Sequence, residues 1–133
     1  MRFYLVVLMT MTLLVTAVAP ARAHHSFAAE FDANKPVTLR GVVTKIERVN
    51  PHGWIYLDVK DSAGKVVNWA IETAASTQLA KRGIAKNFPP IGMEIIVTGF
   101  QARDGSPTAN GASLKNSAGK DLFSVASGEA PSR

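Results

Sequence analysis

Three histidines, His24, His25 and His52, are the side chains of this sequence best suited to chemistry near neutral pH, and their grouping narrows what that chemistry is. His24 follows Ala21-Arg22-Ala23, the small-x-small pattern that signal peptidase accepts. Cleavage after Ala23 makes His24 the first residue, so that its α-amine and its own imidazole can chelate one ion together. His25 then offers a second imidazole, and His52 sits in a turn able to approach the same spot. A free α-amine has an ordinary pKa of about 7.7–8.0, so a metal displaces its proton at little expense. All-nitrogen ligation suits Cu(II), which heads the divalent affinity order, and also Zn(II) or Ni(II). The expected metal set is therefore His24, His25 and His52, with copper as the ion and Glu30 and Asp32 as nearby oxygen donors. The plainer alternative is adventitious binding at a flexible terminus, with His52 only hydrogen-bonding the backbone of its own turn.

A second candidate surface is aromatic. In Trp54-Ile55-Tyr56-Leu57-Asp58-Val59-Lys60 the residues Ile55, Leu57 and Val59 share one face of a strand, and Trp54, Tyr56 and Asp58 share the other. Aliphatic residues are the better filling for a core, which leaves Trp54 and Tyr56 for a small ligand or an envelope protein, or for the lead-in residues Phe27 and Phe31 to cover. Signatures of catalysis are missing: no nucleophile motif, no Gly-rich phosphate loop and no pair of carboxylates in a shared context. Glu72, at the end of a strand, reads as a cap or surface residue. The expectation is a protein that is not an enzyme.

The elements that must position these residues begin with a leader. Arg2 supplies a positive start, Phe3 to Ala19 is uncharged and apolar apart from three threonines, and Pro20 breaks any helix ahead of the small-residue site. Residues 1–23 are thus expected to be a cleaved signal peptide, with export to the periplasm and no stable membrane anchor afterwards. The chain has no cysteine, which excludes disulfides, thiolate metal sites and a lipid-modified cysteine. Taking Arg2 and Arg22 from the 15 basic residues leaves 13 against 10 acidic, a formal charge of +3. That charge is dispersed: Lys81-Arg82 is the only adjacent basic pair and falls at a helix end, where it complements the helix dipole. A nucleic-acid groove needs a denser basic stripe, so no nucleic-acid partner is expected.

The mature part suits one small domain, a monomer. It divides into a lead-in (24–36), a domain (37–125) and a small polar tail (126–133). Strands are expected over Thr38 to Val49, Trp54 to Lys60, Lys65 to Ile71 and Met93 to Phe100, with one or two weaker ones between Thr108 and Val125. Asn50-Pro51-His52-Gly53 and Asp61-Ser62-Ala63-Gly64 are the intervening turns. Ala74 to Arg82 is a helix, capped by Thr73 or Ser76 and stopped by Gly83, with Ile84 placed to return to Leu79. Three strands, a helix and one or two more strands is the element order of a mainly β, five-stranded OB-fold-like barrel with one helix between strands 3 and 4.

The chain also resembles a bacterial family of small exported proteins of unknown function. The resemblance rests on His24-His25-Ser26-Phe27 after the leader, Phe31-Asp32, Gly41-Val42-Val43, Asn50-Pro51-His52, Trp69 with Glu72, Leu79 with Gly83, Gly92, and Arg103-Asp104-Gly105-Ser106. It covers essentially the whole mature chain, and the histidine pair with the Asn-Pro-His turn is its most specific part. It implies a periplasmic protein similar to other exported bacterial OB-fold proteins, and brings no activity with it. The polar Leu114-Lys115-Asn116-Ser117 departs from the hydrophobic final strand usual in that family.

Overall fold

The computed structural model describes residues 27–128. The leader 1–23, the histidines His24 and His25, and the end of the tail lie outside the described residues. In chain order the elements are α1 (Phe27–Glu30), β1 (Phe31–Glu47), β2 (Gly53–Lys60), β3 (Val66–Thr73), α2 (Ser76–Lys81), β4 (Glu94–Ala102), β5 (Thr108–Asn116) and β6 (Asp121–Ser124). The protein is mainly β, and its helix between strands 3 and 4 stands where the sequence places it. There are six strands where the sequence pattern suggests five, because the polar stretch after Thr108 divides at Ser117-Ala118-Gly119 into β5 and the short β6. β1 begins at Phe31 and not at Thr38, so most of the lead-in is either helical turn or strand.

β1 is long enough to serve two neighbours. Its first part pairs antiparallel with β4, from Pro36↔Phe100 to Val42↔Glu94, and its second part with β2, from Gly41↔Val59 to Glu47↔Trp54. β2 pairs with β3, β4 with β5 and β5 with β6, all antiparallel. One parallel pairing, of β3 with β5, joins Ala70↔Thr108, Ile71↔Ala109 and Glu72↔Asn110. It closes β1, β2, β3, β5 and β4 into a ring of strands, with β6 outside the ring on β5.

The strand alternation decides what fills the ring. Ile55, Leu57 and Val59 point inward, as their shared face requires, and pack with Leu39, Val43, Ile71, Ile95, Val97, Ala109, Leu114 and Val125. Leu114 is fully buried even though its neighbours are polar, since those neighbours take the outward positions. A second cluster lies on the outer side, where Phe27 stacks on Phe31 (5.8 Å between centroids) and meets Phe100 edge-on (5.5 Å). These rings hold α1 against the end of β4.

α2 starts by a different means from the one its sequence suggests but stops as expected. Neither Thr73 nor Ser76 caps it. Ser76 N–H donates to the Val49 carbonyl (3.1 Å), and Thr77 N–H to Asn50 Oδ1 (3.4 Å), so the turn after β1 supplies the cap. At the other end Gly83 N–H donates to Ala80 O and Ile84 N–H to Leu79 O, with Gly83 at φ +79°, which is the expected glycine stop. The ring itself depends on Gly99, where a Cβ would run into the carbonyl oxygen of Asn110 on β5. Gly99→Ala is expected to destabilise the fold by about 2–3 kcal/mol through overpacking. Gly83→Ala is expected to cost about 1–2 kcal/mol, because an L-residue must adopt the left-handed conformation there. Urea unfolding of both variants measures these losses, and a Gly99→Ala protein as stable as the parent would contradict the close strand approach.

Candidate functional site

The β1–β2 turn, the end of β3 and α1 converge on one cleft. Asn50 and Pro51 are joined by a cis peptide bond, and Gly53 opens β2 immediately after His52. Pairing of Gly53 with Thr73 and of Trp54 with Glu72 brings the start of β2 beside the end of β3. His52 and Glu72 thereby become neighbours although 20 positions separate them in the sequence. His52 Nδ1 is buried and stands 3.4 Å from Glu72 Oε1, near enough for an ion pair when the ring is protonated but without the alignment of a hydrogen bond.

Glu72 is not the surface carboxylate that its sequence context suggests; it is 5% exposed. Its Oε1 accepts a hydrogen bond from Asn110 Nδ2 at 3.0 Å, across the parallel pairing of β3 with β5. Asn110 is 1% exposed, and its own Oδ1 is buried without a hydrogen-bond partner. A buried carboxylate has to be hydrogen-bonded, and burial beside an amide donor answers part of that need. The sequence gives little notice of Asn110 beyond the rarity of asparagine inside strands.

The cleft beside His52 measures about 340 Å³. It is lined by His52 and Glu72, by Phe27, Glu30 and Phe31 from α1 and the start of β1, and by Trp54. Trp54 also borders a second cleft of about 410 Å³, shared with Arg103, Asp104 and Ser106. Arg103 is fixed there by Nε donating to the Ala28 carbonyl (2.7 Å). Asp104 receives the Ser106 N–H (2.9 Å), and this backbone bond is the main cause holding its carboxyl below the usual carboxylate range.

Of the residues singled out by sequence, His52 and Trp54 line one cleft together. Tyr56 lies elsewhere: its hydroxyl donates to Glu47 Oε2 (3.2 Å), Lys45 pairs with Glu47, and the Lys45 ammonium sits 5.1 Å above the Tyr56 ring. Burial, followed by the bond to Glu47, raises the Tyr56 phenol above its ordinary value. Glu30 lines the His52 cleft, whereas Asp32 is turned to its own backbone, accepting the Asn34 N–H (2.9 Å). Among the described residues no three His, Asp or Glu side chains are gathered closely enough to hold a metal ion. Nor is any described helix long and apolar enough to cross a membrane.

The chain belongs to a family of unknown function, DUF6152, whose model matches residues 11–112. Comparison with curated proteins and with solved structures finds no match in either. Glu72 and Asn110, hydrogen-bonded to each other, both fall within the matched stretch. Asn110→Leu removes a donor from a buried carboxylate and is expected to destabilise the fold by about 1–3 kcal/mol. Asn110→Asp sets a second carboxylate beside Glu72, which raises the pKa of one of the pair. The folded state then holds more protons than the unfolded chain, so the stability deficit of Asn110→Asp at pH 7 shrinks as the pH falls toward 4. Urea midpoints measured between pH 4 and pH 7 check the sign.

Proposed function

We propose that this is an exported, non-catalytic binding protein of the periplasm, an OB-fold-like barrel that holds a transition-metal ion, copper, beside His52. The observation that carries the reading is a buried carboxylate, Glu72, that is hydrogen-bonded by Asn110 and stands 3.4 Å from His52 Nδ1. Metal-ligating imidazoles characteristically donate their second ring N–H to a carboxylate that is itself hydrogen-bonded. Ligation at Nε2 leaves the ring proton on Nδ1, the atom that faces Glu72. The barrel reading is supported by the ring closure through β3 and β5 and by the helix between strands 3 and 4.

His52 alone is not a site; His24 and His25 complete the proposal. Phe27, two residues after His25 in the sequence, lines the His52 cleft. If cleavage follows Ala23, the His24 amine and imidazole, His25 and His52 supply nitrogen donors of the kind Cu(II) prefers. Glu30 adds an oxygen at the same cleft.

A second reading rests on Trp54, which borders two clefts at once. A small ligand or an envelope partner lying across the indole would use it without any metal, and Tyr56, bound up with Glu47 and Lys45, would take no part. Calorimetric titration of Cu(II) into the chain beginning at His24 separates the two readings, once its intact mass has verified the terminus. His52→Ala and a chain carrying one extra residue before His24 are each expected to weaken copper binding about tenfold or more, and Glu72→Gln about tenfold. Trp54→Ala should leave the metal affinity unchanged. Copper affinities of the extended chain and of His52→Ala that equal the parent's would sink the metal reading and leave the Trp54 surface as the better account.

A further inference from the structure

The core of the ring is sealed everywhere except at the end far from His52. Of the eleven residues in the main core cluster, nine are exposed by no more than 1%, while Leu39 and Val59 retain 8% and 9%. Both line a cleft of about 490 Å³, whose lining also includes Val67 and Trp69, the indole packed against the core. Lys60, at the same cleft, lies six positions along β2 from Trp54, so about 20 Å of strand separates it from the metal cleft.

The polar groups around this opening are mostly committed. Asp61 Oδ1 accepts the backbone N–H groups of Ala63 and Lys65 (2.9 Å each), closing its own turn. Gln101 Nε2 donates to the carbonyls of Gly105 and Ser106 (3.3 Å each), tying the β4–β5 turn over one side. Two lining residues are uncommitted among the described residues: the Thr38 hydroxyl makes no hydrogen bond, and Lys60 makes no ion pair. The opening therefore joins an apolar floor of core side chains and an indole to one uncommitted positive charge. Its volume is that of a small-molecule site, and an apolar pocket with few polar groups at a strand-ring mouth is a common place for one.

We infer that this cleft is a second binding site, independent of the metal, for a small amphipathic anion. The apolar body of such a ligand lies on Leu39, Val59 and Trp69, and its carboxylate or sulfonate pairs with Lys60. The sign of the head group follows from Lys60: the Asp61 carboxylate keeps its charge but is directed to the N–H groups of its own turn, and the formal charge of residues 24–133 is +3. Burial of the ligand body also finishes the sealing of Leu39 and Val59 from water.

The test is a titration of the chain beginning at His24 with 8-anilinonaphthalene-1-sulfonate, an aromatic sulfonate of this class. The expected result is saturable binding of one probe per chain, with energy transfer from Trp69. Trp69→Phe should abolish most of the transfer and Trp54→Phe should keep it. Lys60→Glu, an exposed substitution that leaves the core intact, should weaken binding about tenfold, which is about 1.4 kcal/mol. Val67→Glu should also block the site, and the variant's cooperative urea unfolding verifies that it is folded. The inference is overturned by an absence of saturable binding, by an unchanged affinity in Lys60→Glu, or by transfer that survives Trp69→Phe. Sedimentation showing that the probe binds only to a dimer would overturn it equally, because the cleft would then be covered by a second copy.

Discussion

The parallel contact between β3 and β5 is the constraint on which the rest of this structure hangs. It is only three residue pairs long, yet without it the strands form an open sheet whose two edges are exposed to solvent. Where the β4–β5 register shifts between Thr98 and Gly99, a residue without a side chain stands at Gly99 against the backbone of Asn110. Closure also brings Glu72 and Asn110 face to face, so the same three pairs that finish the ring create the buried carboxylate–amide bond. Stability and the candidate site are consequently coupled through one seam.

That coupling explains how a polar group survives at the edge of an aliphatic core. Ile71, immediately before Glu72, is completely buried in the ring, and the strand alternation sends Glu72 to the opposite side. There it is sheltered from water, with an amide donor on one side and an imidazole on another. The aromatic lead-in supplies much of that shelter. Phe27 and Phe31 are held with Phe100 in their own cluster and line the same cleft as His52. A helix of one turn would not persist by itself, and the ring contacts stand in for the missing helical cooperativity.

The β1–β2 turn serves two neighbours as well. Its Asn50 side chain and Val49 carbonyl take the first N–H groups of α2, while His52, two residues on, lines the cleft. Residues that look like an ordinary turn in the sequence therefore fix a helix end and a candidate ligand together. The Lys45–Glu47–Tyr56 group, by contrast, is a local arrangement on the outer face of β1 and β2, and it removes Tyr56 from the surface that Trp54 presents.

Much of the architecture was legible in the sequence because it follows from short-range rules. Alternation in Trp54 to Lys60 determined which face is core, Gly83 determined where α2 ends, and the turn residues determined where the strands break. Residues far apart in sequence decided the rest. No local pattern says that Glu72 will meet Asn110 and not water, because that meeting needs a parallel register between strands 38 positions apart. Nor does any pattern say that α2 is capped from Val49 and Asn50 and not from its own Ser76. The sequence by itself determined the elements and the chemical types on offer. Tertiary structure alone decided which of them share a cleft, since burial and hydrogen-bond pairing are properties of the closed ring and not of any segment within it.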